Sequence, residues 1–139
     1  MYPTDLLNSY SVASGDFDRN GWTDFVVHNK GNHKARIWMN SGFNEDAPHY
    51  FQVGLKGQVS NSMGVGTWIE LTEGNRVHRR TTHCGENYLG QESLYEHFGL
   101  GISDGEATEV DTLRLEWTSG VVDEWYGAQD YDRHVYVEG

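Results

Sequence analysis

The sequence predicts an all-β protein, an antiparallel β-sandwich preceded by a short N-terminal β-hairpin. Three observations predict it. Apolar residues recur with a period of two along most of the chain, as they do on a strand with one buried face. No window carries a sustained 3.6-residue apolar stripe, so no long helix is expected. Glycine-containing turns separate the apolar rows, and 17 Gly stand against only 2 Pro.

Taken in order, the first apolar runs are Asp24–His28 and Ala35–Met39, joined by the turn-rich Lys30-Gly31-Asn32-His33. Residues 40–48 read as a linker. Phe51, Val53 and Leu55 then share one side of a strand, with Tyr50 and Gln52 on the other. Val65, Thr67, Ile69 and Leu71 form a second row. Leu94, Phe98 and Leu100 form a third. Leu113, Leu115 and Trp117 form the clearest, opposed by Arg114 and Glu116, and Val135 with Val137 closes the chain. Turns are expected at Glu73-Gly74-Asn75, Ser103-Asp104-Gly105 and Thr118-Ser119-Gly120. About seven strands of this spacing suit a sandwich. The expected division is residues 1–45 for the N-terminal piece and 49–139 for the sandwich.

Residues 75–83 are polar on both faces. Arg76, His78, Arg79, Arg80 and His83 suit an edge strand blunted by charge. The alternative is a strand whose face lines a polar or anionic ligand site, with Arg79 as its candidate residue.

A formal net charge of −11 argues against nucleic acid and against docking on an anionic membrane. No run approaches the roughly 18 apolar residues of a membrane-spanning helix. The N-terminal residues lack the basic and apolar regions of a signal peptide. With 5 Trp, 8 Tyr and 5 Phe the chain has large side chains for a core. The single Cys84 excludes an internal disulfide and any multi-cysteine zinc site; a buried, inert thiol is expected.

The strongest local signal is Asp16-Phe17-Asp18-Arg19-Asn20-Gly21-Trp22-Thr23-Asp24, which fits D-x-[DN]-x-[DN]-G-x-x-D. Side chains at positions 1, 3, 5 and 9 of a tight loop converge, a backbone carbonyl at position 7 adds a ligand, and glycine at position 6 permits the turn. The candidate ligands are Asp16, Asp18, Asn20, the Trp22 carbonyl and Asp24. Ca²⁺ is expected over Mg²⁺, which demands near-octahedral order and usually keeps several waters. Val27 stands where an EF-hand needs glutamate, and the following Phe25-Val26-Val27 reads as a strand, so the hairpin carries a calcium-type loop that is not an EF-hand. The alternative is a solvated Asx turn without an ion.

Residues Gly15 to Asn29, with Arg36-Ile37-Trp38-Met39-Asn40-Ser41-Gly42, resemble one FG-GAP or VCBS-type repeat. In that family the loop binds Ca²⁺, and Asp16, Asp18, Asn20 and Asp24 occupy the matching positions. A propeller needs several blades, and the sequence holds one repeat. The remainder resembles the ASPIC/UnbV domain. The resemblance rests on Val53-Gly54-Leu55-Lys56-Gly57, Ser60-Asn61-Ser62-Met63-Gly64-Val65-Gly66, Gly85-Glu86-Asn87-Tyr88-Leu89-Gly90-Gln91-Glu92, His97-Phe98-Gly99-Leu100-Gly101 and Val110 to Trp117 with Ser119-Gly120. It implies an extracellular or periplasmic module without assigned enzymatic activity, binding carbohydrate or extracellular protein. An exposed sheet edge would favour a homo-oligomer.

Trp68 lies opposite Ile69 and Leu71 and is the surface aromatic best placed for a ligand. Trp117 belongs to the core. His97 is expected to hydrogen-bond nearby backbone, and the seven histidines show no helical metal spacing. The runner-up function is a small sandwich hydrolase acting on glycans, using Glu86 with Glu92, Asp123 with Glu124, or His97. It would require a concave pocket with converging carboxylates.

Overall fold

The structure is a computed structural model and describes residues 8–42, 48–102, 109–130 and 132–139. It is all-β, with ten strands among the described residues. The expected turn at Ser103-Asp104-Gly105 and most of the 40–48 linker lie outside them.

The N-terminal piece is a three-stranded antiparallel sheet in the order β1 (Ser9–Gly15), β2 (Asp24–Asn29), β3 (Arg36–Trp38). The first strand was not legible as an apolar row, because small and polar residues dominate Ser9-Tyr10-Ser11-Val12-Ala13-Ser14. Its pairing with β2, Val12 opposite Val27 and Gly15 opposite Asp24, turns the expected hairpin into a sheet.

Seven strands build the sandwich. One sheet runs β10 (Arg133–Val137), β4 (Pro48–Lys56), β7 (Tyr95–Ile102). The other runs β6 (Arg76–Thr81), β5 (Trp68–Glu73), β8 (Glu109–Glu116), β9 (Val122–Asp130). All pairings are antiparallel except β10 with β4, which is parallel, Tyr136 opposite Leu55. The inner faces meet in a core of Phe51, Val53, Phe98, Leu100 and Tyr136 against Ile69, Leu71, Val110, Leu113, Leu115 and Trp117. Full burial of each large apolar side chain stabilises by about 1.5–3 kcal/mol. At the β5–β6 hairpin Gly74 takes φ 54, the positive value a two-residue turn with glycine first requires.

Some expectations are corrected. Val135 and Val137 point to solvent, and Tyr136 between them fills the core. A strand offers only one of its faces inward, and tyrosine brings the larger buried area. Burial pushes the Tyr136 hydroxyl up to about 12, so it stays protonated. Leu94 precedes β7 and is exposed. Cys84 is exposed rather than buried, because it sits in the loop after β6 and not on a core strand. Gln52, placed on an outer face, is 2 % exposed, because the N-terminal piece covers that side of β4.

A carboxylate clasp fastens the C-terminus. Glu138 is buried, and its Oε2 accepts the consecutive backbone N–H groups of Gln58 (2.7 Å), Val59 (2.8 Å) and Ser60 (2.8 Å). Its Oε1 accepts the hydroxyls of Ser60 and Ser119. Burial alone would push the carboxyl upward, but these donors outweigh it and hold it at about 2.

Candidate functional site

The acidic loop leaves β1 at Gly15 and enters β2 at Asp24, so its two ends are held one strand apart by the Gly15–Asp24 pairing. That closure brings one carboxylate oxygen each from Asp16, Asp18 and Asp24 within 4.8 Å of one another. Asp24 is fully buried, Asp16 nearly so, and Asp18 is exposed.

Backbone donors fix the first and last carboxylates. Asp16 accepts the N–H of Asn20 (3.0 Å) on Oδ1 and that of Gly21 (3.1 Å) on Oδ2. Asp24 accepts the N–H of Phe17 (2.8 Å) on Oδ2 and that of Asn40 (2.6 Å) on Oδ1. Asn20 donates from Nδ2 to Asp18 Oδ2 (3.2 Å), while its Oδ1 accepts the Trp22 N–H (2.8 Å) in an Asx turn. Each carboxylate oxygen has two lone pairs, so one that accepts an N–H can still face a cation. The three carboxylates could therefore hold a metal ion, and an all-oxygen donor set fits a hard one.

Asn40 was missed. It read as part of a linker, yet its N–H reaches Asp24, its carbonyl accepts Asn20 Nδ2 (2.9 Å) and its side chain donates to the Thr23 carbonyl (3.4 Å). The signal was Asn40-Ser41-Gly42, an Asx-type turn, which the Gly42 N–H to Asn40 Oδ1 bond of 3.1 Å completes.

The loop is seated on the sandwich through Gln52. The Gln52 amide Nε2 donates to Asp16 Oδ2 (3.4 Å) and to His97 Nδ1 (3.0 Å), and Oε1 accepts Arg133 Nε (2.6 Å). His97 therefore accepts on Nδ1 and is neutral, and its ring also bonds the Gly21 backbone. Burial is the main cause that lowers the His97 pKa below the usual 6.5, with nearby Asp16 opposing. Gly21 has φ 85, and a Cβ there would stand 2.6 Å from Tyr50 Cδ1. Glycine thus serves both the turn and the close approach.

A cleft of about 810 Å³ opens between this loop and the β6–β7 edge of the sandwich. Gly21, Trp22 and Thr23 form one wall, and Arg79, Arg80, Glu96 and His97 lie among the others. Glu86 and Glu92 also line it. Glu92 Oε2 accepts the Ser14 N–H (2.8 Å) and the Ser14 hydroxyl, and Glu86 Oε2 accepts the Glu92 N–H (3.3 Å). Glu96 is half-buried, and burial first, opposed by Arg80 and His83, raises its pKa.

Arg79 reaches the cleft but is paired to Glu70 at 2.8 Å. Trp68 is exposed on the outer face of the β6-β5-β8-β9 sheet and does not line the cleft. Asp123 and Glu124 diverge: Asp123 accepts Trp117 Nε1 (2.8 Å), and Glu124 accepts Arg114 Nε (3.1 Å) on the outer face.

The model of the family described as ASPIC and UnbV matches residues 57–138, more than half of the chain. The chain belongs to the ASPIC and UnbV family. The matched stretch begins beside Gln58 and ends on Glu138, so the ASPIC and UnbV match is bracketed by the two halves of the carboxylate clasp. It leaves out β4 and the N-terminal sheet. No curated protein matches the chain.

Proposed function

We propose that the chain is a non-catalytic binding and recognition module of the extracellular or periplasmic type, stabilised by Ca²⁺ and directed at carbohydrate or extracellular protein. The carrying observation is the convergence of Asp16, Asp18 and Asp24 in a loop that also walls the cleft. In this reading residues 1–45 are an FG-GAP or VCBS-type repeat seated on the domain at 49–139. Asn20 and the Trp22 carbonyl complete the ligand set. Without a cation three close carboxylates repel, so an ion relieves a cost the fold otherwise carries. Family membership supports the non-catalytic part. Arg79 is an accessory contact at the cleft, and exposed Ile37 on β3 with Met39 just after it favours pairing between chains.

The test is thermal unfolding with and without millimolar Ca²⁺. A ligand that binds only the folded state raises Tm with concentration. Wild type is expected to rise, and Asp18→Ala, altering the exposed ligand, is expected not to. An equal rise in both overturns the assignment.

A second reading, a glycan hydrolase, is favoured by one observation: Glu86, Glu92 and Glu96 line the same cleft. Against it, Glu92 is committed to Ser14 and Glu86 to the Glu92 backbone. Turnover of glycans lost in Glu96→Gln would establish it.

A further inference from the structure

We infer that the cleft between the acidic loop and the β6–β7 edge binds a neutral oligosaccharide, with Trp22, Arg80 and Glu96 as the contact residues. The inference rests on the binding-module reading and names both the ligand class and its place.

The volume of about 810 Å³ lies within the range of small-molecule sites, about 300–1,000 Å³. The lining selects by charge. Arg80 and His83 stand against Glu86 and Glu96, so the cleft traps neither anions nor cations, and a chain of net charge −11 repels polyanions. A ligand rich in hydroxyls, which donate and accept equally, suits such a mixture.

Two of these groups have hydrogen-bonding capacity to offer. The Arg80 guanidinium lies 5.5 Å from the Phe98 ring centroid, a stacking that orients it, and it makes no ion pair among the described residues. Glu96 lies on β7, near Arg80 on β6, and its carboxyl has no hydrogen bond among the described residues. Burial, the leading cause, raises its pKa and so favours the protonated, donating form more than in an ordinary carboxyl.

Trp22 supplies the apolar surface. Gly42 packs so closely on the indole that an added Cβ would lie 2.5 Å from Nε1. A ring fixed in this way can be covered by the C–H face of a sugar with little loss of side-chain entropy. By contrast Trp68, the aromatic that the sequence singled out, stands outside the cleft.

The experiment is a titration of ¹⁵N-labelled full chain, in Ca²⁺, with cello-, chito-, malto- and mannotetraose in turn, read by amide and indole N–H shifts. At least one is expected to move the Trp22 indole N–H and the amides of Glu96 and Gly99. Arg80→Met, which keeps an unbranched apolar side chain but removes the guanidinium that lies over Phe98, should weaken binding at least tenfold, and Trp68→Ala should leave it unchanged. The inference is overturned if none of the four perturbs the cleft, or if the shifts centre on Trp68. In the latter case the binding-module reading stands and only the cleft assignment falls. Mapping on the wild type keeps the result independent of whether any variant folds.

Discussion

Asp16 and Gln52 are hydrogen-bonded, Nε2 to Oδ2 at 3.4 Å, although 36 positions separate them. Through that one amide the acidic loop is joined to the central strand of a sandwich sheet, and by its second N–H to His97. The loop and the domain are therefore expected to respond together. Gln52→Leu leaves Arg133 Nε and His97 Nδ1 without their partner. A loss of about 1–3 kcal/mol is expected, the cost of stranding buried polar groups. Urea denaturation checks it; an unchanged midpoint would show that the bridge contributes nothing.

Gly21→Ala should be more disruptive than a glycine-to-alanine change in an ordinary turn. The new Cβ meets Tyr50 and Pro48 and is forced to a positive φ. Circular dichroism melts should show a lowered Tm. The Tyr50 ring resonances should shift as the loop lifts from β4, whereas Gly31→Ala, also at positive φ but with open space, should lower Tm without moving Tyr50.

Glu138 makes stability depend on acid pH with a definite sign. Its folded pKa of about 2 lies below the ordinary 4.5, so between those values the unfolded chain binds more protons. Stability is fully present above about pH 4.5 and is lost as pH falls toward 2. Glu138→Gln should lower Tm at neutral pH and flatten this part of the profile. A variant whose acid limb matches wild type would remove the clasp from the account.

His97 acts in a higher window. Its pKa is lowered chiefly by burial, so the folded state favours the neutral ring that accepts from Gln52. The contribution is present above pH 6.5 and declines as pH falls toward the lowered folded value. An imidazole NMR titration should give a midpoint below 6.5, and a midpoint at or above it would contradict the neutral assignment.

Where period two coincides with burial, the sequence was readable. Leu113, Leu115 and Trp117 are all in the core, as are Phe51 with Val53 and Ile69 with Leu71. The acidic loop was readable because its spacing is local, and the three aspartates do converge. What escaped was long-range. Nothing near Val135 tells that a parallel partner 81 positions away will turn Tyr136 inward and aim Arg133 at Gln52. Asn40 looked like linker because its partner Asp24 lies on another strand. The cleft is assembled from the N-terminal loop, β6 and β7, so no single window contained it.

The central claim is that the loop from Asp16 to Asp24 holds a calcium ion, and Trp22 within that loop provides a direct probe. Terbium, an oxygen-seeking lanthanide of similar coordination, luminesces when an adjacent indole is excited. The account predicts tryptophan-sensitised terbium emission from the wild type that Ca²⁺ displaces and that Asp18→Ala abolishes. Emission that is absent from the wild type, or equal in the variant, would contradict it.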